Sequence, residues 1–146
     1  MRSMKPDRDI CVRKIKIPSE GRNIPALVLS PKKKTDKTPG ILWIHGGGYI
    51  AGMKEMLHMS RAVDLVKKYG AVVFSPGYRM AFETPYPAAL DDCYDALLYL
   101  KNHADELGIR TDQIMVGGES AGGGLCGAGI KYSQYDYKAA FRKKIA

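Results

Sequence analysis

Two glycine-bearing stretches, about 75 residues apart, hold the residues best suited to chemistry. His45-Gly46-Gly47-Gly48 follows the apolar run Ile41-Leu42-Trp43-Ile44, and Gly118-Glu119-Ser120-Ala121-Gly122 follows Ile114-Met115-Val116. A Gly-x-Ser-x-Gly string at the end of a strand puts its serine on a sharp turn into a helix, with the hydroxyl exposed; the glycine run is the oxyanion loop that accompanies it. The chemistry implied is acyl transfer. A serine hydroxyl is a weak nucleophile at neutral pH, so it needs a base to take its proton and donors to hold the developing oxyanion. Ser120 is the candidate nucleophile. The backbone N–H groups of Gly46, Gly47, Gly48 and Ala121 are the candidate oxyanion donors, and the helix after Ser120 adds the positive end of its dipole.

The base is harder to find. After Ser120 the chain holds no histidine, no glutamate and a single aspartate, Asp136. A triad in the order Ser, Asp or Glu, His cannot be completed from these residues. His45 belongs to the glycine loop. His58 falls in a predicted helix and reads as a surface or core residue. His103 sits near a helix end in Asn102-His103-Ala104-Asp105 and reads as exposed. Asp136 reads as a surface residue, and Asp91 and Asp92 as helix-surface residues or local partners of nearby bases. Gly122-Gly123-Gly124 lacks the lysine and hydroxyl residue of a phosphate-binding loop.

The positioning elements follow from periodicity. Residues 10–17 alternate partly and read as an edge strand; residues 19–23 are a turn, and residues 24–29 are the partner strand. The apolar run 41–44 reads as a strand covered on both faces. Residues 55–69 read as an amphipathic helix with Met56, Met59, Val63 and Val66 on its inner face, Ala62, Leu65 and Tyr69 beside them, and Gly70 as its stop. Residues 71–74 are the next strand, and a loop runs from Pro76 through Pro85. Pro87 suits a first helical turn. Ala89, Cys93, Ala96, Leu97 and Leu100 form that helix's stripe, and Leu107-Gly108 closes the region. Residues 113–116 are a further strand, followed by a helix rich in small residues from Ser120. The order β-β-β-α-β-α-β-α implies an α/β fold, a mostly parallel sheet with helices on both faces.

Composition narrows the class. A chain of 146 residues is one domain at most. No apolar run approaches the roughly 18 residues needed to span a bilayer, and the polar start shows no secretory signal. Three cysteines, Cys11, Cys93 and Cys126, lack metal or disulfide spacing and fit reduced thiols in a cytoplasmic protein. The net charge of +8 invites a nucleic-acid reading, but half of it sits in residues 131–146 and the rest is scattered. Aromatics do not interleave with the basic loop at Lys32-Lys33-Lys34, and no nucleic-acid motif is present.

Three stretches resemble the hormone-sensitive-lipase-like group of α/β-hydrolases, the fold-3 esterases. They are His45 to Tyr49, the segment from Tyr78-Arg79-Met80-Ala81-Phe82-Glu83 through Pro85-Tyr86-Pro87-Ala88-Ala89, and Gly117 to Gly123. The resemblance covers roughly residues 10–128. It implies an α/β-hydrolase fold, hydrolysis of a small-molecule carboxylic ester, no metal or cofactor, Ser120 as nucleophile, and His45 as a residue that shapes its loop. Gly77 stands where the family often carries an aspartate, which would loosen the local network. Beyond about Cys126 the pattern ends in a basic tail, residues 129–146. The chain therefore reads as 1–146, a single incomplete domain truncated at its C-terminal side, poorly stable or prone to aggregate alone. Three functional readings stand: the N-terminal half of a carboxylesterase, inactive or feeble alone; one half of a split enzyme that needs a complementing chain; or a non-catalytic binding module with a basic tail.

Overall fold

The computed structural model describes residues 7–33, 37–48, 54 and 60–127. Strand β1 (Ile10–Ser19) and strand β2 (Arg22–Pro31) form an antiparallel pair in unbroken register, from Ile10 opposite Pro31 to Ser19 opposite Arg22. Only Glu20 and Gly21 link them, with φ of 41° and 77°. Two consecutive positive φ values match the twist of a hairpin, so the link is tight. Strand β3 (Thr38–Ile44), helix α1 (Ala62–Tyr69), strand β4 (Val72–Pro76), helix α2 (Ala88–Asn102) and strand β5 (Ile109–Gly118) follow. A further helix, α3, is described over 121–127.

The strands lie in the order β1-β2-β4-β3-β5. β2 runs antiparallel to both of its neighbours, while β3 is parallel to β4 and to β5. The sheet is therefore mixed, with β2 alone reversed among the described strands. Successive residues of each strand face opposite sides, and the two sides bury different sets. Ala26, Val28, Leu42, Ile44, Val72 and Phe74 pack with Leu90, Cys93, Ala96 and Leu100 of α2 and with Leu125 and Cys126 of α3. Leu27, Leu29, Ile41 and Val73 pack with Ala62 and Val66 of α1 on the other side. Helices thus cover both faces, which is why β2, β3 and β4 read as nearly continuous apolar runs.

Several elements differ from their sequence expectation. The described part of the first helix begins at Ala62, because the Ser60 hydroxyl accepts the Ala62 N–H at 3.1 Å and holds a turn there. Residues 55–59 of the expected helix, with Met56, His58 and Met59, lie outside the described residues. Tyr69 is 64% exposed rather than flanking the core. It borders an open hollow with Arg8, Ile10 and Lys32 that none of the described side chains fills. β5 starts four residues earlier than the apolar run suggested, at Ile109. Its first half, Arg110 to Gln113, is exposed and polar, so it carries no hydrophobic signal; Arg110 and Asp112 pair across one face. Ile109 itself is fully buried, and a Cβ on Gly40 would lie 2.6 Å from its Cγ2, so the two residues interlock. His103 is half-buried rather than exposed: its ring stacks on Tyr99 at 3.9 Å and its Nδ1 lies 2.9 Å from the Tyr99 carbonyl oxygen.

Among the described residues no helix is long and apolar enough to cross a membrane. All three cysteines are free. Burial, with a smaller contribution from Cys126, pushes the Cys93 thiol far above its ordinary range, and burial also raises Cys126. A thiol reacts as its thiolate. Alkylation of the native chain by iodoacetamide at pH 8 is therefore expected to mark the half-buried Cys11 first and to spare Cys93 until urea is added. Peptide mass spectrometry reads the order; early labelling of Cys93 would show that the α2 face is not packed as described.

Candidate active site

The site is built where β3 and β5 end side by side. The two strands pair in parallel up to Ile44 opposite Gly118, so residues 45–48 and 119–122 leave the sheet together. Glu119 N–H donates to the Ile44 carbonyl at 3.3 Å and ties the two exits to each other. The turn then tightens: Gly122 N–H donates to Glu119 O at 2.9 Å, and Gly124 N–H to Ser120 O at 3.3 Å, which starts α3. Ser120 sits at the apex with φ of 54° and is exposed. A positive φ is unfavourable for a residue with a Cβ, and strain of this kind persists only where the surroundings fix it.

The surroundings here are backbone. A Cβ on Gly118 would lie 2.7 Å from both the Ile44 oxygen and the Gly122 carbonyl carbon. A Cβ on Gly122 would collide with the Ile44 oxygen and lie 2.8 Å from the His45 oxygen. No alanine fits at either position without moving main chain. Gly46 completes the contact from the other loop: its own Cβ position lies 2.9 Å from Glu119 O and 3.5 Å from the Ser120 Cβ. The structure thus brings Gly46 against Ser120. Gly47 and Gly48 continue with φ of 125° and 63°, Gly48 exposed. Ala121 is buried at the first turn of α3.

His45 is 2% exposed. Its Nδ1 lies 2.9 Å from Gly46 O, and its ring stacks on Tyr78 at 4.2 Å, 11° from parallel. The Tyr78 hydroxyl donates to the His45 carbonyl at 2.9 Å. The next residue, Arg79, is held by Asp92. The Asp92 carboxylate accepts the Arg79 backbone N–H at 2.8 Å, its Nε at 3.1 Å and its Nη2 at 3.0 Å, and it also pairs with Arg22 Nη2. Asp92 is wholly buried, so of its two expected settings, helix surface or partner of bases, the second is the one found. A buried carboxylate needs this many partners, because desolvation is costly without them. Burial, then the charge of Arg79, lowers the Arg22 pKa, and Asp95 and Asp91 oppose that shift. Gly77 does not loosen the segment. Its N–H donates to Pro25 O at 2.7 Å, and a Cβ there would press at 3.2 Å on the same oxygen.

Sequence reasoning allowed Asp92 a basic partner but did not name it or give the residue a part in the site. A signal was present, since an aspartate on the otherwise apolar stripe that includes Cys93 and Ala96 needs a cation, and the preceding loop offers Arg79. Of the expected site residues, Gly46 lies against Ser120, His45 reaches Gly46 O, and Ala121 begins α3. His58, Tyr49, Asp136 and the tail 129–146 lie outside the described residues. Among the described residues no grouping of three or more His, Cys, Asp or Glu side chains could hold a metal ion.

A mixed sheet covered by helices on both faces, with a strand-turn-helix serine beside a glycine loop, defines an α/β-hydrolase architecture. The family model for the alpha/beta hydrolase fold matches residues 41–136, and the chain belongs to that family. It is 44% identical over 87 residues to an AB hydrolase superfamily protein of Schizosaccharomyces pombe, covering 60% of this chain and 25% of that protein. It is 36% identical over 86 residues to hormone-sensitive lipase of Mus musculus, covering 59% of this chain and 11% of the lipase. A bacterial heroin esterase structure superposes with a TM-score of 0.82 at 36% identity, covering 87% of this chain and 41% of the esterase. The chain therefore spans less than half the length of each of these relatives.

The elbow contacts make a sharp contrast testable. Gly122→Ala is expected to destabilise the chain by at least about 2 kcal/mol, as a forced main-chain shift does. Gly123→Ala, one residue on, meets only an ordinary 3.7 Å contact in the helix. It is expected to be neutral or stabilising by up to about 1 kcal/mol. Urea denaturation of both variants checks the difference in sign.

Proposed function

We propose that this chain is the nucleophile-bearing part of a serine carboxylesterase acting on small-molecule carboxylic esters. The observation that carries this reading is the seating of the Gly46 backbone 3.5 Å, at its Cβ position, from the Ser120 Cβ. This proximity supports a reading in which the Ser120 hydroxyl and the backbone N–H groups of the glycine loop serve one reacting carbonyl. In this reading the Ser120 Oγ attacks the ester carbonyl carbon as its proton passes to a base. The carbonyl oxygen takes the negative charge and is held by the N–H groups of Gly46, Gly47, Gly48 and Ala121. The tetrahedral intermediate collapses, the alcohol leaves with a proton, and water then releases the acid from the acyl-serine. Loss of one oxyanion donor costs about 3–4 kcal/mol in such sites.

The base in this reading lies outside the described residues. His45 is buried in the loop with its Nδ1 against Gly46 O, and His103 caps the far end of α2. A complementing segment would bring the acid and the histidine to Ser120. Without them the oxyanion donors and binding alone leave a residual acceleration of roughly 10³–10⁴ over water.

The chain as it stands is therefore expected to hydrolyse p-nitrophenyl butyrate feebly, and Ser120→Ala is expected to leave that residual rate within about threefold, because the donors and binding supply it without the nucleophile. Mixed with the C-terminal half of an esterase relative that carries the acid and the histidine, wild type is expected to gain turnover and Ser120→Ala to gain none. A phosphonate ester probe that labels serine nucleophiles should mark wild type at Ser120 and leave the variant unmarked. Equal hydrolysis by both proteins in that complemented mixture, with no labelling of Ser120, would refute the proposal.

A further inference from the structure

We infer that Asp92 is a positioning residue for the oxyanion loop, acting through Arg79, Tyr78 and His45. The inference rests on the reading of Ser120 and that loop given above. Asp92 belongs to α2, and its carboxylate meets Arg79 and Arg22. Its effect runs through four consecutive links. The carboxylate takes the Arg79 backbone N–H at 2.8 Å and grips the same residue's guanidinium at 3.1 and 3.0 Å. One residue is thus fixed at both main chain and side chain. The peptide so fixed is the one that follows Tyr78, so it sets the direction of that ring. Tyr78, 3% exposed, lies flat on the His45 imidazole at 4.2 Å and donates its hydroxyl to the His45 carbonyl at 2.9 Å. His45 in turn reaches Gly46 O at 2.9 Å. The loop that carries the candidate oxyanion donors is held from behind by a side chain 47 positions later in the chain than His45.

A carboxylate suits this duty better than its amide. It offers acceptors only, and the three donors of Arg79 and the one of Arg22 all need an acceptor. Asparagine keeps the shape but turns one side of the group into a donor facing a guanidinium. The backbone N–H of Arg79 would then lose its charged acceptor, and Tyr78 would lose its fixed angle. Arg22 arrives from the β1–β2 hairpin, so the same carboxylate also ties the hairpin to α2 next to the Ser19–Asp95 hydrogen bond.

The test compares wild type with Asp92→Asn in the full chain. Amide resonances of Gly46, Gly47 and Gly48 are followed by nitrogen–proton correlation spectra, and ester turnover is followed with p-nitrophenyl butyrate. The expected result is displaced Gly46–Gly48 resonances with those of Val12 to Lys14 in β1 unmoved. kcat should fall by about tenfold or more with KM within about twofold, as misplaced donors affect the transition state. Unmoved Gly46–Gly48 resonances in a folded Asp92→Asn protein overturn the inference. If that variant does not fold, the double change Asp92→Asn with Arg22→Gln removes the surplus buried charge and carries the same reading. Tyr78→Phe, which keeps the stack and removes only the hydroxyl, tests the far end of the relay; unmoved loop resonances there overturn it too. If wild type complemented with the acid- and histidine-bearing half shows no Ser120-dependent turnover, the hydrolase reading fails, while the resonances still decide the role of Asp92.

Discussion

The closest constraint in the molecule is between main chains. The turn after β5 lies so near the end of β3 that Gly118 and Gly122 leave no room for a Cβ against the Ile44 and His45 carbonyls. The elbow and the glycine loop are therefore not two features placed near each other by packing. They are one joint, formed because β3 and β5 are parallel neighbours that end at the same level. Everything behind them serves to keep those two strand ends in register. Ile109 interlocks with Gly40 at the other end of the pair, and the α2 face buries Leu42 and Ile44 from below. The positive φ of Ser120 is the local strain that this joint sustains.

Behind the joint lies a different kind of support. The apolar core is non-directional and tolerates small shifts, whereas a buried carboxylate with fixed partners does not. Asp92 meets two guanidiniums and a backbone N–H in a place without water exposure. A buried ion pair is weak grounds for stability but a strong means of fixing geometry, since breaking it leaves an uncompensated charge. The molecule thus fixes its site from two directions: steric exclusion at the glycines in front, and charge pairing behind the oxyanion loop.

The chain made the strand ends legible because both motifs directly follow apolar runs. β2, β3 and β4 were readable for the same reason, being covered on both faces. The start of β5 was not, since Ile109 pairs with Thr38 while Arg110 to Gln113 lie in the irregular stretch before Ile114 meets Gly40 and face solvent, so no apolar pattern marks them. Tyr69 keeps the right helical phase yet overhangs a hollow, and helical phase alone does not report how far a sheet extends beneath a helix. The setting of Asp92 stayed open between helix surface and ion pair because its partners come from 13 and 70 positions away. Sequence reading sees charges near one another along the chain, and this cluster exists only after the hairpin and the loop before α2 meet. The convergence of Ser120 with Gly46 was foreseeable from the motifs. Their separation was not, because it depends on the β3–β5 register.

The two ends of the described sheet differ in a way that sets how it can grow. β1, at one end, points Arg13, Lys14 and Lys16 outward, and lysine and arginine on an edge strand discourage pairing with a further strand. β5, at the other end, has β3 as its one described neighbour and carries Ile114, Met115 and Val116 with Met115 half out in solvent. The sheet is therefore polar in the sense that a filament is: closed to addition at one edge and receptive at the other. A further strand pairs more readily at the β5 edge, beside the strand that ends at Gly118, two residues before Ser120.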